Sequence, residues 1–151
     1  FGRIEKLLDS GIFLPQNSAN PLVQSALTEL LIRVRDLMAK AKRYAAEVAF
    51  SDDVSVTQKI KNVSEAIKFV RDAICHIDSE NHNHDECNAR LSFNCVYGKG
   101  TLMSIGTVEL KSDYEDDLCF FFGSQKLYLN RHLVRAYREA RAGLEPMMEN
   151  V

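Results

Sequence analysis

Apolar residues in the first half of the chain recur at alternating steps of four and three, the spacing that lines them up along one side of a helix. Val23, Leu27, Leu30, Val34, Leu37, Ala41, Tyr44 and Val48 form one seam, and Val56, Ile60, Val63, Ile67, Val70, Ile74 and Ile77 form a second. Asn20-Pro21 opens the first helix. Asparagine suits an N-cap, and proline at the first helical position gives up an N–H that has no acceptor there. Ser55-x-x-Gln58 reads as a capping box for the second helix. The break at Ser51-Asp52-Asp53 is short, so the spacing predicts an antiparallel hairpin over residues 21–80, with arms of about 25 residues.

Upstream, Ile4, Leu7 and Leu8 suggest a short helical arm that ends at Gly11 and Pro15. The pattern changes after Ile77. Residues 78–90 are polar without a period and read as a loop, whereas Leu91, Phe93, Cys95 and Tyr97 alternate with their neighbours as in a strand. Further strands are expected at about 102–111, 118–123 and 126–129, the last two joined across Gly123-Ser124-Gln125 as a hairpin. Asn130 then caps a final helix over residues 131–145, with Leu133, Ala136, Tyr137, Ala140 and Leu144 inward and Gly143 and Pro146 at its end. The expected fold is a single mainly α domain over residues 1–151: an antiparallel helical hairpin or bundle, with a small antiparallel β-meander (residues 91–129) inserted before the C-terminal helix.

Composition narrows the function classes. With 19 basic and 21 acidic residues the net charge is −2, so attraction for nucleic acid has to come from local patches rather than from the whole molecule. No apolar run approaches the roughly 18 residues that cross a bilayer, and no segment resembles a targeting signal. Cys75, Cys87, Cys95 and Cys119 are scattered without a CxxC pair, as expected of free thiols in a reducing, cytoplasmic compartment.

The run Arg71-Asp72-Ala73-Ile74-Cys75-His76 puts a permanent cation and an imidazole near the end of the second helix, on a surface expected to be half-buried. With about 100° per residue, Arg71 flanks the seam and His76 lies roughly 140° further round. Ala66, Phe69, Ala73 and His76 form a second stripe beside the first. Small alanines allow another helix to approach, so this stripe is expected to be a dimer interface that brings two copies of Arg71 and His76 into one cleft.

The same run resembles the Arg-x-x-x-x-His signature of HEPN domains, an all-α family whose active members cut RNA. The resemblance covers residues 21–80 and, more loosely, the final helix. It implies a homodimer whose interfacial cleft cleaves RNA without a metal or other cofactor. Arg71 would bind the scissile phosphate. His76 would act as general base on the ribose 2′-hydroxyl or general acid on the leaving 5′-oxygen. The products would be a 2′,3′-cyclic phosphate and a 5′-hydroxyl. Asp72, where the family commonly has asparagine, would orient Arg71 or weaken RNA binding. A toxin or host-defence role follows from the resemblance, with an antitoxin protein as a partner that blocks the cleft. The alternative is a non-catalytic HEPN-like module that binds a nucleotide or a partner protein through the same face.

Other constellations compete with this one. His82-x-His84-x-x-Cys87, among Glu80, Asp85 and Glu86, has the donor atoms of a zinc or nickel site, but all of them crowd one loop and no distant pair completes the set. No metal site is therefore expected there. Arg131, Arg135, Arg138 and Arg141 lie broadly on one side of the last helix and are expected to guide RNA, while Arg33, Arg35, Lys40, Lys42 and Arg43 make a second basic face. The acids of Ser112–Asp117 are read as a turn between strands.

Overall fold

The computed structural model describes residues 1–148. Helices α1 (Gly2–Leu8), α2 (Leu22–Tyr44) and α3 (Val63–Cys75) precede five strands, β1 (Asn94–Tyr97), β2 (Gly100–Ile105), β3 (Val108–Ser112), β4 (Leu118–Phe122) and β5 (Gln125–Tyr128), and α4 (Arg135–Met148) follows. Helix makes up 47% and strand 18%, and this overturns the expectation of a mainly α bundle. The strands are a structural layer of their own, because both faces of β4 are buried and each carries a separate apolar cluster.

Helix α2 follows its seam: Val23, Leu27, Leu30, Val34, Leu37 and Ala41 are buried. The second arm is shorter than its periodicity suggests, with only 13 residues in α3. Two local competitors explain the loss. The Thr57 hydroxyl accepts from the N–H groups of Lys59 (3.2 Å) and Ile60 (3.1 Å), which holds a turn where the helix would have run. Asn62 is the N-cap instead of Ser55: its side chain accepts from Glu65 N at 3.1 Å, and the Glu65 carboxylate accepts from Lys61 N at 2.6 Å. Ser55 itself is pinned elsewhere, its carbonyl bound by Gln125 Nε2 at 3.0 Å.

Within α3, Ala66 and Ala73 are fully buried in the chain's own core, and Phe69 packs against that core. The stripe expected to receive a second copy is thus filled by the same chain. That corrects the interface assigned to Ala66 and Ala73, whose small side chains admit intramolecular neighbours, whereas Phe69 of the same assignment is half-buried and keeps part of its ring at the surface.

The sheet order is β1-β4-β5, all antiparallel, with β2 and β3 forming a separate hairpin. The stretch expected as one strand at 102–111 folds back at Gly106, whose φ of +60 suits glycine. Leu118, Phe120 and Phe122 of β4 face the helices, while Cys119 and Phe121 join Leu91, Leu110 and Tyr128 in the second cluster. A π-helical turn, Leu129–Val134, leads into α4, which runs through Gly143 and Pro146 to Met148 instead of stopping near residue 145. Among the described residues no helix is long and apolar enough to cross a membrane.

The π turn is wound around His132, which is fully buried. Its Nδ1 accepts from Tyr128 N at 3.0 Å, so Nε2 carries the proton and donates to the Asp52 carbonyl at 3.2 Å. Burial lowers its pKa from 6.5. A depressed folded value means that the unfolded chain binds the proton more readily, so stability is full above pH 6.5 and falls as acid is added below it. Urea unfolding at pH 7.5 and pH 5.5 is expected to show this loss in the wild type and a weaker one in His132→Gln. Equal pH dependence in both would assign the effect to other groups.

Candidate active site at the end of helix α3

Arg71 lies in the last full turn of α3, where its Nη1 meets Asp72 Oδ1 at 2.9 Å with each side chain about one-third exposed. His76 is not part of the helix. It is the C-cap, with φ −129 and ψ 102, and its side chain is exposed rather than half-buried. The helical wheel that separates it from Arg71 therefore stops applying at that residue. Its N–H still donates to the Asp72 carbonyl at 3.1 Å, and its own carbonyl accepts from Ser79 N at 3.0 Å. The backbone of His76 is held on both sides while the imidazole faces solvent.

The loop after His76 is folded, not slack. His82 is buried, with its ring 6.3 Å from that of Phe122. Its Nε2 reaches the His76 carbonyl at 3.3 Å, which makes it a second donor to that oxygen. Leu91 N returns to the His82 carbonyl at 2.7 Å, and Asn83 pairs with Arg90 as an isolated antiparallel bridge. Asn81 Nδ2 donates to the Phe69 carbonyl of α3 at 3.2 Å. The Arg90 guanidinium donates to the carbonyl of Ile77. The loop is pressed against the β4–β5 turn so closely that a Cβ on Gly123 would lie 2.2 Å from the Asn81 carbonyl oxygen.

This folding separates the metal-type donors of the loop. His82 turns inward to the backbone, and His84 Nδ1 accepts from Glu86 N at 3.1 Å. Among the described residues, no group of three His, Cys, Asp or Glu side chains is arranged to hold a metal. Cys75 is exposed at the end of α3, whereas burial pushes the thiols of Cys95 and Cys119 up to about 12.

The arginines of the last helix are mostly committed within the chain. Arg131 pairs with Asp116 (3.0 Å) and Asp117 (3.1 Å) and stacks 3.6 Å above the Tyr114 ring. Arg135 pairs with Asp52 (3.0 Å) and Glu139 (2.8 Å) and stacks on Phe50. Arg141 pairs with Glu5 and Glu145. Arg138 is exposed and is the member of the row without an ion pair among the described residues. An arginine already paired with carboxylates attracts phosphate less strongly, so Arg131, Arg135 and Arg141 serve as ties within the chain, while Arg138 keeps its guanidinium open to solvent.

No protein-family model matches this chain, and no curated protein and no solved structure matches it either.

Sequence reasoning missed Arg90 and the Asn81–Gly123 contact. Neither belongs to a spacing pattern. Both depend on where the loop folds, and the one local signal was a glycine between two strands.

Proposed function

We propose that the protein is a metal-independent endoribonuclease acting through Arg71 and His76. One observation carries the reading: an arginine and an imidazole reach solvent at the same helix end, and the backbone of the imidazole residue is bonded on both sides. A fixed main chain limits where the imidazole can reach, and a solvent-open ring can approach a substrate hydroxyl to hydrogen-bond distance. Arg71 contacts the scissile phosphate, Asp72 orients the guanidinium through their ion pair, and His76 moves the proton at the 2′-hydroxyl or the leaving 5′-oxygen.

The toxin or defence role and a blocking antitoxin stay attached to this proposal through the family resemblance. So does a homodimer, which would use surface other than the Ala66–Ala73 stripe. Ile77, 82% exposed directly after His76, offers apolar surface there.

The second reading, a non-catalytic module binding a nucleotide or protein, is favoured by the Arg71–Asp72 pair, because a neutralised arginine grips phosphate less tightly. Incubating mixed RNA in EDTA separates the two. The wild type is expected to cleave and leave 2′,3′-cyclic ends, and His76→Ala to lose about two to four orders of magnitude in rate. Cleavage unchanged in His76→Ala, or absent from the wild type, would remove the ribonuclease reading.

A further inference from the structure

A phosphate approaching the end of α3 meets two repulsions. The carbonyl end of the helix carries partial negative charge, and Asp72 adds a carboxylate. Arg71 answers only part of this, because Asp72 is bonded to it at 2.9 Å. A site that binds RNA at this place needs another cation.

Arg90 is in position to supply it. Its guanidinium donates to the carbonyl of Ile77, the residue after His76. The side chain is exposed, and among the described residues no carboxylate pairs with it. A guanidinium has five N–H donors, so the bond to Ile77 leaves a fork free for phosphate oxygens. The position is built into the main chain. Arg90 bridges to Asn83, Leu91 N bonds His82, Gly123 N bonds the Leu91 carbonyl at 2.9 Å, and His82 in turn holds the carbonyl of His76. The two ends of the loop, one bearing His76 and the other Arg90, are thereby closed upon each other.

We propose that Arg90 is a second phosphate-binding residue of the Arg71–His76 site and supplies the positive charge that Asp72 takes away. The inference rests on the ribonuclease reading of that site. It also assigns a purpose to the folded loop, which would otherwise only cover the sheet.

The test is binding of a fluorescent 2′-O-methyl RNA oligonucleotide, which cannot be cut, measured by anisotropy across a salt series. Arg90→Gln is expected to weaken binding about fivefold to tenfold and to reduce the slope of log K against log salt by about 0.7, the contribution of one single-strand phosphate contact. Arg90→Lys keeps the charge and is expected to restore the slope. Arg71→Gln runs beside them, and melting curves matching the wild type show that the variants are folded. If Arg71→Gln weakens binding and Arg90→Gln does not, the role of Arg90 is overturned while the ribonuclease reading stands. Failure of Arg90→Lys to restore the slope also overturns it. If the wild type does not bind the oligonucleotide, both fall.

Discussion

Asp117→Ala is expected to cost about 3–5 kcal/mol, a large share of the total stability of a domain this size. Asp117 is fully buried. Its Oδ1 accepts from Leu118 N (2.9 Å), Asn130 N (2.9 Å) and Asn130 Nδ2 (3.2 Å), and its Oδ2 accepts from Arg131 N (3.0 Å) and Arg131 Nη1 (3.1 Å). One carboxylate thus satisfies the open N–H groups at the start of the final helical segment and fixes that start to the first residue of β4. Removing it strands those donors and leaves the Arg131 guanidinium with Asp116 alone as its acid. Asp117→Asn keeps the shape without the charge and should lose less. Urea unfolding with the slope held constant measures the difference, and a loss under 1 kcal/mol in Asp117→Ala would show that water replaces the carboxylate without difficulty.

Gly123→Ala should damage both stability and the candidate site. The backbone there has φ +52, which costs a residue with a side chain about 1–2 kcal/mol. The new methyl would also fall 2.2 Å from the Asn81 carbonyl oxygen and 3.0 Å from that of Asn83, both backbone atoms of the loop that carries His82. Relief requires the loop to lift, which adds about 1–3 kcal/mol of overpacking. Lifting the loop withdraws His82 from the His76 carbonyl and Arg90 from Ile77. Amide exchange read by NMR should therefore quicken at Ser79, Leu91 and Gly123 in the variant. Protected amides with an unchanged melting temperature would mean that the turn and loop are less tightly joined than their contact implies.

Helix α2 could be read from the sequence because its seam is buried on the side that periodicity selects. The second arm was harder, since Ser55-x-x-Gln58 and Asn62-x-x-Glu65 both carry start signals within one turn or two. Contacts far along the chain decide between them, notably Gln125 on the Ser55 carbonyl. Periodicity alone runs β2 and β3 together as one strand, although Gly106 marks the turn between them. At the candidate site the residue types were visible but their setting was not. A wheel drawn through His76 assumes that the helix includes that residue, whereas α3 ends at Cys75. The arginines of the last helix do share a side, as their spacing says. Spacing does not reveal that Glu5, Asp52, Asp116 and Asp117 come from three other segments to meet them.

The contact between Asn81 and Gly123 has a consequence for the order in which the molecule becomes competent. Residues Arg71 to His76 leave the ribosome well before the β4–β5 turn that braces the loop beside them. Helix α2, too, waits for α4, against which much of it packs. On the ribonuclease proposal, a nascent chain would thus carry Arg71 and His76 without the arrangement that the proposed cleavage needs. Late assembly of this kind would spare the messenger and the ribosomal RNA from the protein being made on them.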